Sequence, residues 1–248
     1  MRKNILITGA SSGLGLGMAR EFARRGANLA LCARRVDALE ELRAALQAQH
    51  PGIRVAVRAL DVNDHDAVFA TFRACRDELG GLDRVIVNAG IGKGASLGTG
   101  FFAANRQTAE TNFVAALAQC EAALEIFRAQ GDGHLVTIAS VAAVRGMPRA
   151  STVYAATKAG LSSLTEGIRA DLLRTRIRVS AIYPGFIDTP INAQVRNRPF
   201  LVDADTGCRA LVAAIEREPA RAYVPSWPWA AVALLLRLAP IGVLARMA

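Results

Sequence analysis

The chain has 248 residues, 52% of them apolar, and 30 Lys and Arg against 21 Asp and Glu give a formal charge of +9. That length and apolar share supply the core of one large α/β domain and exclude a disordered or fibrous chain. The arginines stand singly or in doublets such as Arg24-Arg25 and Arg34-Arg35 with no basic run, so the charge reads as a solvated surface and no nucleic-acid partner is expected.

Short β-branched runs alternate with amphipathic stretches from the first residues. Strands are predicted at 4–8, 28–33, 54–59, 84–88, 134–140 and 178–183. Helices are predicted between them at 17–25, 36–49, 64–79, 104–129 and 152–174, with a glycine-rich loop at 89–100. The segment 186–210, rich in Pro, Asn and Asp, interrupts the alternation where a substrate lid would sit, and a short helix at 203–217 and a strand at 222–225 follow. Six strand–helix alternations predict a Rossmann-like doubly wound parallel sheet in a single domain over 1–226, with 227–248 as its apolar extension.

Cysteines and histidines add constraints of their own. Cys32, Cys75, Cys120 and Cys208 lie far apart with no C-x-x-C pair, and His50, His65 and His134 are equally scattered. This predicts four buried thiols in a reducing compartment and no metal site. The start, MRKNILITG, has only three consecutive apolar residues, too few for a signal peptide, so a cytoplasmic protein is expected.

The stretch TGASSGLG (8–15) follows the first predicted strand and opens the first helix. Gly9, Gly13 and Gly15 allow a tight turn and close backbone approach, and a helix N-terminus there aims N–H groups at a pyrophosphate. Candidate cofactor contacts in this loop are Gly9, Ser11, Ser12, Gly13, Leu14 and Gly15. The second strand ends in CARR, with Ala33 where a carboxylate would select NAD and with Arg34 and Arg35 next, which favours NADP(H).

Only Lys3, Lys93 and Lys158 among the basic residues are lysines. Lys158 stands four residues after Tyr154, so on one helix the two share a face. A tyrosine pKa of about 10 lies far above neutrality. Lowering it by roughly two to three units requires about 3–4 kcal/mol, which one cation near ~4 Å supplies at an effective dielectric of about 20.

With these residues placed, the sequence resembles the short-chain dehydrogenase/reductase (SDR) family. TGASSGLG is similar to its T-G-x-x-x-G-x-G, Asn88-Ala89-Gly90 to its N-A-G, and Tyr154-x-x-x-Lys158 to its Y-x-x-x-K, over residues 3–190. Ser140 ends the fifth strand 14 residues before Tyr154, Pro184-Gly185 follows the sixth, and Thr189 falls at the P-G-x-x-x-T position. Asn112 resembles the family's helix asparagine, and Asp61-Val62 the pair beside the adenine. One departure is Ser12, where many NADP enzymes of the family carry a basic residue.

The resemblance implies an NADP(H)-dependent oxidoreductase that interconverts a ketone or aldehyde with an alcohol. Tyr154 would be the proton donor, Lys158 would hold the nicotinamide ribose, Ser140 the substrate oxygen, and Asn112 a water in a proton relay. Ile187 and Thr189 would meet the nicotinamide. Val141, Val144, Met147 and Phe186 are candidate substrate walls, and their apolar character points to a 3-oxoacyl, fatty or steroid-like substrate. The helices at 104–129 and 152–174 are the family's usual dimer-forming pair, implying a homodimer or homotetramer. The alternative is a non-catalytic NADP-sensing or membrane-surface binding protein.

The last stretch, WPWAAVALLLRLAPIGVLARMA, is the most apolar of the chain, but Arg237 and Pro240 interrupt it and no spanning helix is expected. It fits a membrane interface, a cover over the substrate mouth, or a contact between subunits.

Overall fold

Seven parallel strands in the order β3-β2-β1-β4-β5-β6-β7 make one sheet. The computed structural model describes residues 2–193, 195 and 197–246. Positions 194 and 196 of the predicted lid, and 247 and 248 of the tail, lie outside the described residues. The strands are β1 (Asn4–Thr8), β2 (Asn28–Ala33), β3 (Val55–Ala59), β4 (Arg84–Val87), β5 (Gly133–Ile138), β6 (Ile177–Pro184) and β7 (Arg221–Val224). Between them run α1 (Gly13–Arg24), α2 (Val36–Gln49), α3 (His65–Leu79), α4 (Phe102–Ala109), α5 (Ala115–Gln130), α6 (Ser151–Asp171) and α7 (Ala204–Glu216). Helices α8 (Ser226–Leu238) and α9 (Ile241–Arg246) close the described chain.

Strand side chains alternate between faces, and the core divides accordingly. Ile5, Ile7, Leu29 and Leu31 pack under Phe22 of α1, Leu39 of α2 and Leu211 of α7. Leu6, Ala30 and Val85 pack on the other face with Phe72 of α3 and Phe127 of α5. All four cysteines are buried free thiols, as predicted.

The predicted elements are present with shifted ends. Helix α1 starts at Gly13 rather than residue 17, because the glycine turn feeds it directly. The single helix predicted over 104–129 is α4 and α5 joined by a π-turn at Glu110–Val114, in which Ala115 N–H reaches back to the Glu110 carbonyl. The lid is less irregular than its composition suggests. Ile187 bridges Val202, and α7 begins inside the predicted excursion, where Asp203 caps it by accepting from Thr206 N–H at 2.8 Å.

At the N-terminal edge of the sheet, Arg84 is fully buried and its Nε donates to His134 Nδ1 at 2.8 Å. A guanidinium only donates, so Nδ1 must accept, and the proton sits on Nε2, facing Ser180 Oγ at 2.8 Å. Arg84 also pairs with Glu216 and, at 3.4 Å, with Glu218, which Arg2 binds at 2.9 Å. Burial first, then the Arg84 and Arg2 charges, hold His134 well below the ordinary histidine range, although Glu218 lies 3.7 Å from Nδ1.

A histidine kept neutral by the fold takes up its proton only on unfolding. Stability contributed at this site is therefore present above pH ~6.5 and falls by up to about 1.4 kcal/mol per pH unit as pH drops below it. Denaturant titrations at pH 7 and pH 5 should show this loss in the native chain. His134→Gln, which can accept from Arg84 and donate to Ser180, should remove the histidine share of it.

Candidate active site

The strand order reverses between β1 and β4, and crevices at the carboxyl ends of strands beside such a reversal receive ligands. Here β1 ends at Thr8. Thr8 Oγ1 accepts from the N–H groups of both Asn88 and Ala89 at 3.1 Å, and Asn88 Nδ2 donates to the Thr8 carbonyl at 2.8 Å. Gly9, at φ +65°, closes this joint, since a Cβ there would come 2.9 Å from Ala89 Cα. The Asn88 side chain therefore builds the crevice instead of reaching into it.

Helix α1 opens from this turn without a side-chain cap on Ser12 and without an acidic residue in its first turn, unlike α3, where Asp64 accepts from Ala67 N–H at 3.0 Å. The α1 start keeps the positive end of its dipole for an anion. Gly15 is forced by packing, because a Cβ would stand 2.3 Å from the Gly9 carbonyl oxygen. Arg35 Nη2 donates to Ser11 Oγ at 3.1 Å, and Arg34 approaches Asp61 at 4.0 Å, so two guanidiniums flank the same loop. Across the crevice, Thr189 lies 3.6 Å from the Cβ position of Gly13. Backbone donors, clearance at glycines and flanking arginines form a cradle that fits the anionic part of a dinucleotide.

Three predicted cofactor residues turn their side chains elsewhere. Leu14 packs on the core, Val62 is buried in it, and Ile187 fills the space beside Gly207, so only their backbones border the crevice. Asp61 is occupied with Asn63, accepting from its N–H and Nδ2 at 3.0 Å. Pro184 ends β6 in register with Val224 of β7.

Ser140, Tyr154, Lys158 and Asn112 converge beside the loop that follows β4. Ser140 Oγ accepts from Ala142 N–H at 3.1 Å, at the start of a 3-10 turn over Val141–Val144. Tyr154 and Lys158 share a face of α6, and Lys158 Nζ donates to the Ile138 carbonyl at 2.8 Å, 6.0 Å from the tyrosine ring centroid. Asn112 sits in the π-turn, a distortion common at functional sites, where its amide accepts from Ile91 N–H at 2.8 Å and donates to Ile91 O at 2.9 Å. A Cβ on Gly90 would sit 3.1 Å from Asn112 Oδ1 and 3.6 Å from Lys158 Nζ, so this glycine lets the three elements meet.

The electrostatics differ from the sequence reading. Burial raises the Tyr154 pKa, and the Ser140 hydroxyl rather than the lysine opposes that rise. The ammonium is spent on Ile138, and burial pushes its own pKa down to about 8. The phenol is accordingly neutral at pH 7 instead of acidified.

Comparison with known proteins shows the family. Residues 3–199 match the short chain dehydrogenase family. The chain belongs to that family. An uncharacterized oxidoreductase of Mycobacterium tuberculosis is 54% identical over 247 residues, covering all of this chain and 98% of the relative. Among solved structures, alcohol dehydrogenase from the archaeon Thermococcus sibiricus, complexed with 5-hydroxy-NADP, aligns with a TM-score of 0.79 at 26% identity, over 89% of this chain and 95% of that one. The 3-ketoacyl-(acyl-carrier-protein) reductase of Brucella melitensis, complexed with NADH, aligns with a TM-score of 0.76 at 26% identity, over 86% and 89%. This short-chain dehydrogenase is thus an oxidoreductase by family.

The membrane-interface reading of the tail puts Trp229 at headgroup level with Trp227, but the core claims Trp229 and only Trp227 is exposed, while Arg145 carried no sequence signal at all. Trp229 of α8 is buried against Gly185, whose Cβ position lies 2.0 Å from the indole Nε1, and it meets Phe186 and Phe200 edge-on with centroids 5.7 and 5.8 Å away. Arg145, just past the Ser140 turn, donates from Nη1 to the carbonyls of Leu236, Arg237 and Ala239 at 3.1, 2.8 and 2.9 Å, ending α8 with a cation. The tail thus packs beside the Ser140 turn and the end of β6. Arg145→Ala should cost about 1–3 kcal/mol of local stability. Hydrogen exchange over 230–246 should accelerate while the exchange of β1 to β5 stays unchanged.

Proposed function

We propose that this short-chain dehydrogenase is an NADP(H)-dependent oxidoreductase interconverting a ketone or aldehyde with an alcohol on a lipophilic substrate of the 3-oxoacyl, fatty or steroid-like kind. The observation that carries this reading is the neutral Tyr154 phenol beside the Ser140 hydroxyl and Lys158, together with the anion cradle at the start of α1. A bound nicotinamide dinucleotide would supply or take up the hydride.

Each protein group then has a defined task. Ser140 Oγ accepts from Ala142 N–H and turns its own proton to the Tyr154 phenol, where a substrate oxygen would compete for it. Tyr154 delivers the proton as negative charge grows on that oxygen, and a general acid of this kind contributes roughly 10²–10⁴-fold. Lys158, with a pKa of about 8, is charged at pH 7 and favours the phenolate that proton transfer leaves behind. Asn112 holds Ile91, and through it the loop after β4, in place against α6. Phe186, Val141, Val144 and Met147 support an apolar wall.

Arg34 and Arg35 beside the α1 loop support the 2′-phosphate of NADP(H), and the Thermococcus complex with 5-hydroxy-NADP points the same way. Val114 and Leu117, 42% and 41% exposed on the outer side of the α4–α5 unit, support pairing of two copies into a homodimer or homotetramer. A cytoplasmic site of action accompanies this reading, and among the described residues no helix is long and apolar enough to cross a membrane.

Two measurements test the proposal. Tyr154→Phe should keep NADPH binding, followed by fluorescence, and lose carbonyl turnover by at least about a hundredfold; a variant of undiminished rate would overturn the assignment. Arg35→Ala should raise the KM for NADPH by about tenfold, one bidentate charge-assisted contact, while leaving NADH kinetics unchanged.

A further inference from the structure

Helix α8 is apolar on two sides. Trp229, Ala233 and Leu236 recur at helical spacing and are buried towards the rest of the chain. On the opposite side Leu234, Leu235 and Leu238 are 60%, 67% and 75% exposed, Ile241 of α9 is 75% exposed, and Trp227 at the leading end is 78% exposed. A helix apolar all round is ordinarily covered on both sides, so this face is built for a second partner.

Charge decides which partner. After Glu218 the chain contains no acidic residue, and its basic residues are Arg221, Arg237 and Arg246. Arg221 pairs with Glu166, whereas among the described residues no ion pair involves Arg237 or Arg246, both exposed. A second copy packed on this face about a two-fold axis would repeat the same arginines with no carboxylate in the segment to answer them. Anionic headgroups answer them directly, while leucines and tryptophan enter the boundary between headgroups and acyl chains.

We propose that the exposed face of α8 and α9 docks this protein on an anionic lipid bilayer, lying in the interface without crossing it. The surface is fixed to the catalytic side of the molecule. Arg145 grips the end of α8, and Trp229 beneath it packs on Gly185, Phe186 and the half-exposed Phe200 of the lid. Docking stands on the patch and its charge; its use as an entry route for a lipophilic substrate rests on the reductase reading.

The test is flotation of the full chain with vesicles of phosphatidylcholine alone or mixed with phosphatidylglycerol. The native chain should partition onto the phosphatidylglycerol vesicles at least about tenfold more strongly than onto neutral ones, and less strongly as salt rises. Leu235→Glu with Leu238→Glu, both at exposed positions, should abolish flotation while thermal transition and NADPH binding stay native. Arg237→Glu with Arg246→Glu should weaken it by about tenfold. Absence of native-chain binding to anionic vesicles, or binding indifferent to these substitutions, overturns the proposal. So does a fall in native mass by sedimentation for the leucine variant in the absence of lipid, which assigns the face to a second copy. Tyr154→Phe should float like the native chain, so failure of the catalytic reading registers separately.

Discussion

The joint between the end of β1 and the end of β4 is the contact on which the site depends. Thr8 Oγ1 takes two backbone donors from the neighbouring loop, and Asn88 returns a side-chain bond to the Thr8 carbonyl. Each neutral hydrogen bond contributes only about 1 kcal/mol net, but leaving such buried donors unpaired would cost about 1–3 kcal/mol apiece. The joint sets the distance between the glycine turn and the loop of residues 88–91. From that loop, Ile91 is held by Asn112, and Gly90 admits both Asn112 and Lys158. One hydrogen-bonded seam thus connects the anion cradle to Asn112 and Lys158 across three separate elements.

Burial, more than charge, sets the protonation states along this seam. Desolvation disfavours the charged form of either group, so the same environment raises the phenol and lowers the ammonium to about 8. Lys158 is kept charged at neutral pH by margin alone, with the Ile138 carbonyl as its acceptor. The hydroxyl of Ser140 favours the phenolate form of Tyr154 and so opposes part of the rise that burial imposes.

Much of this was legible in the sequence because it is local. Alternating runs located the strands, the glycine turn between strand and helix located the cradle, and a four-residue spacing placed Tyr154 and Lys158 on one face. What escaped was either hidden by continuity or carried by distance. The helical period runs unbroken through 102–130, so the π-turn that seats Asn112 leaves no mark in the pattern. Motif spacing singles out Leu14, Val62 and Ile187 as candidate cofactor contacts but says nothing of the direction of their side chains, which the core claims. The Arg145 contacts to α8 span up to 94 residues and the Arg84–His134 pair spans 50, and neither has a local signature.

Gly185 shows how the tail alters a motif position. Pro184 ends β6 and Gly185 follows it, and any Cβ at Gly185 would strike the Trp229 indole 2.0 Å away. The Nε1 of that indole is buried without an acceptor. Such an orphan donor costs about 1–3 kcal/mol. Burying roughly 150–250 Å² of an aromatic side chain at about 25 cal/mol per Å² returns ~4–6 kcal/mol, so packing wins. The tail is therefore held by an apolar wedge and a cationic clamp at Arg145, both on residues next to the site.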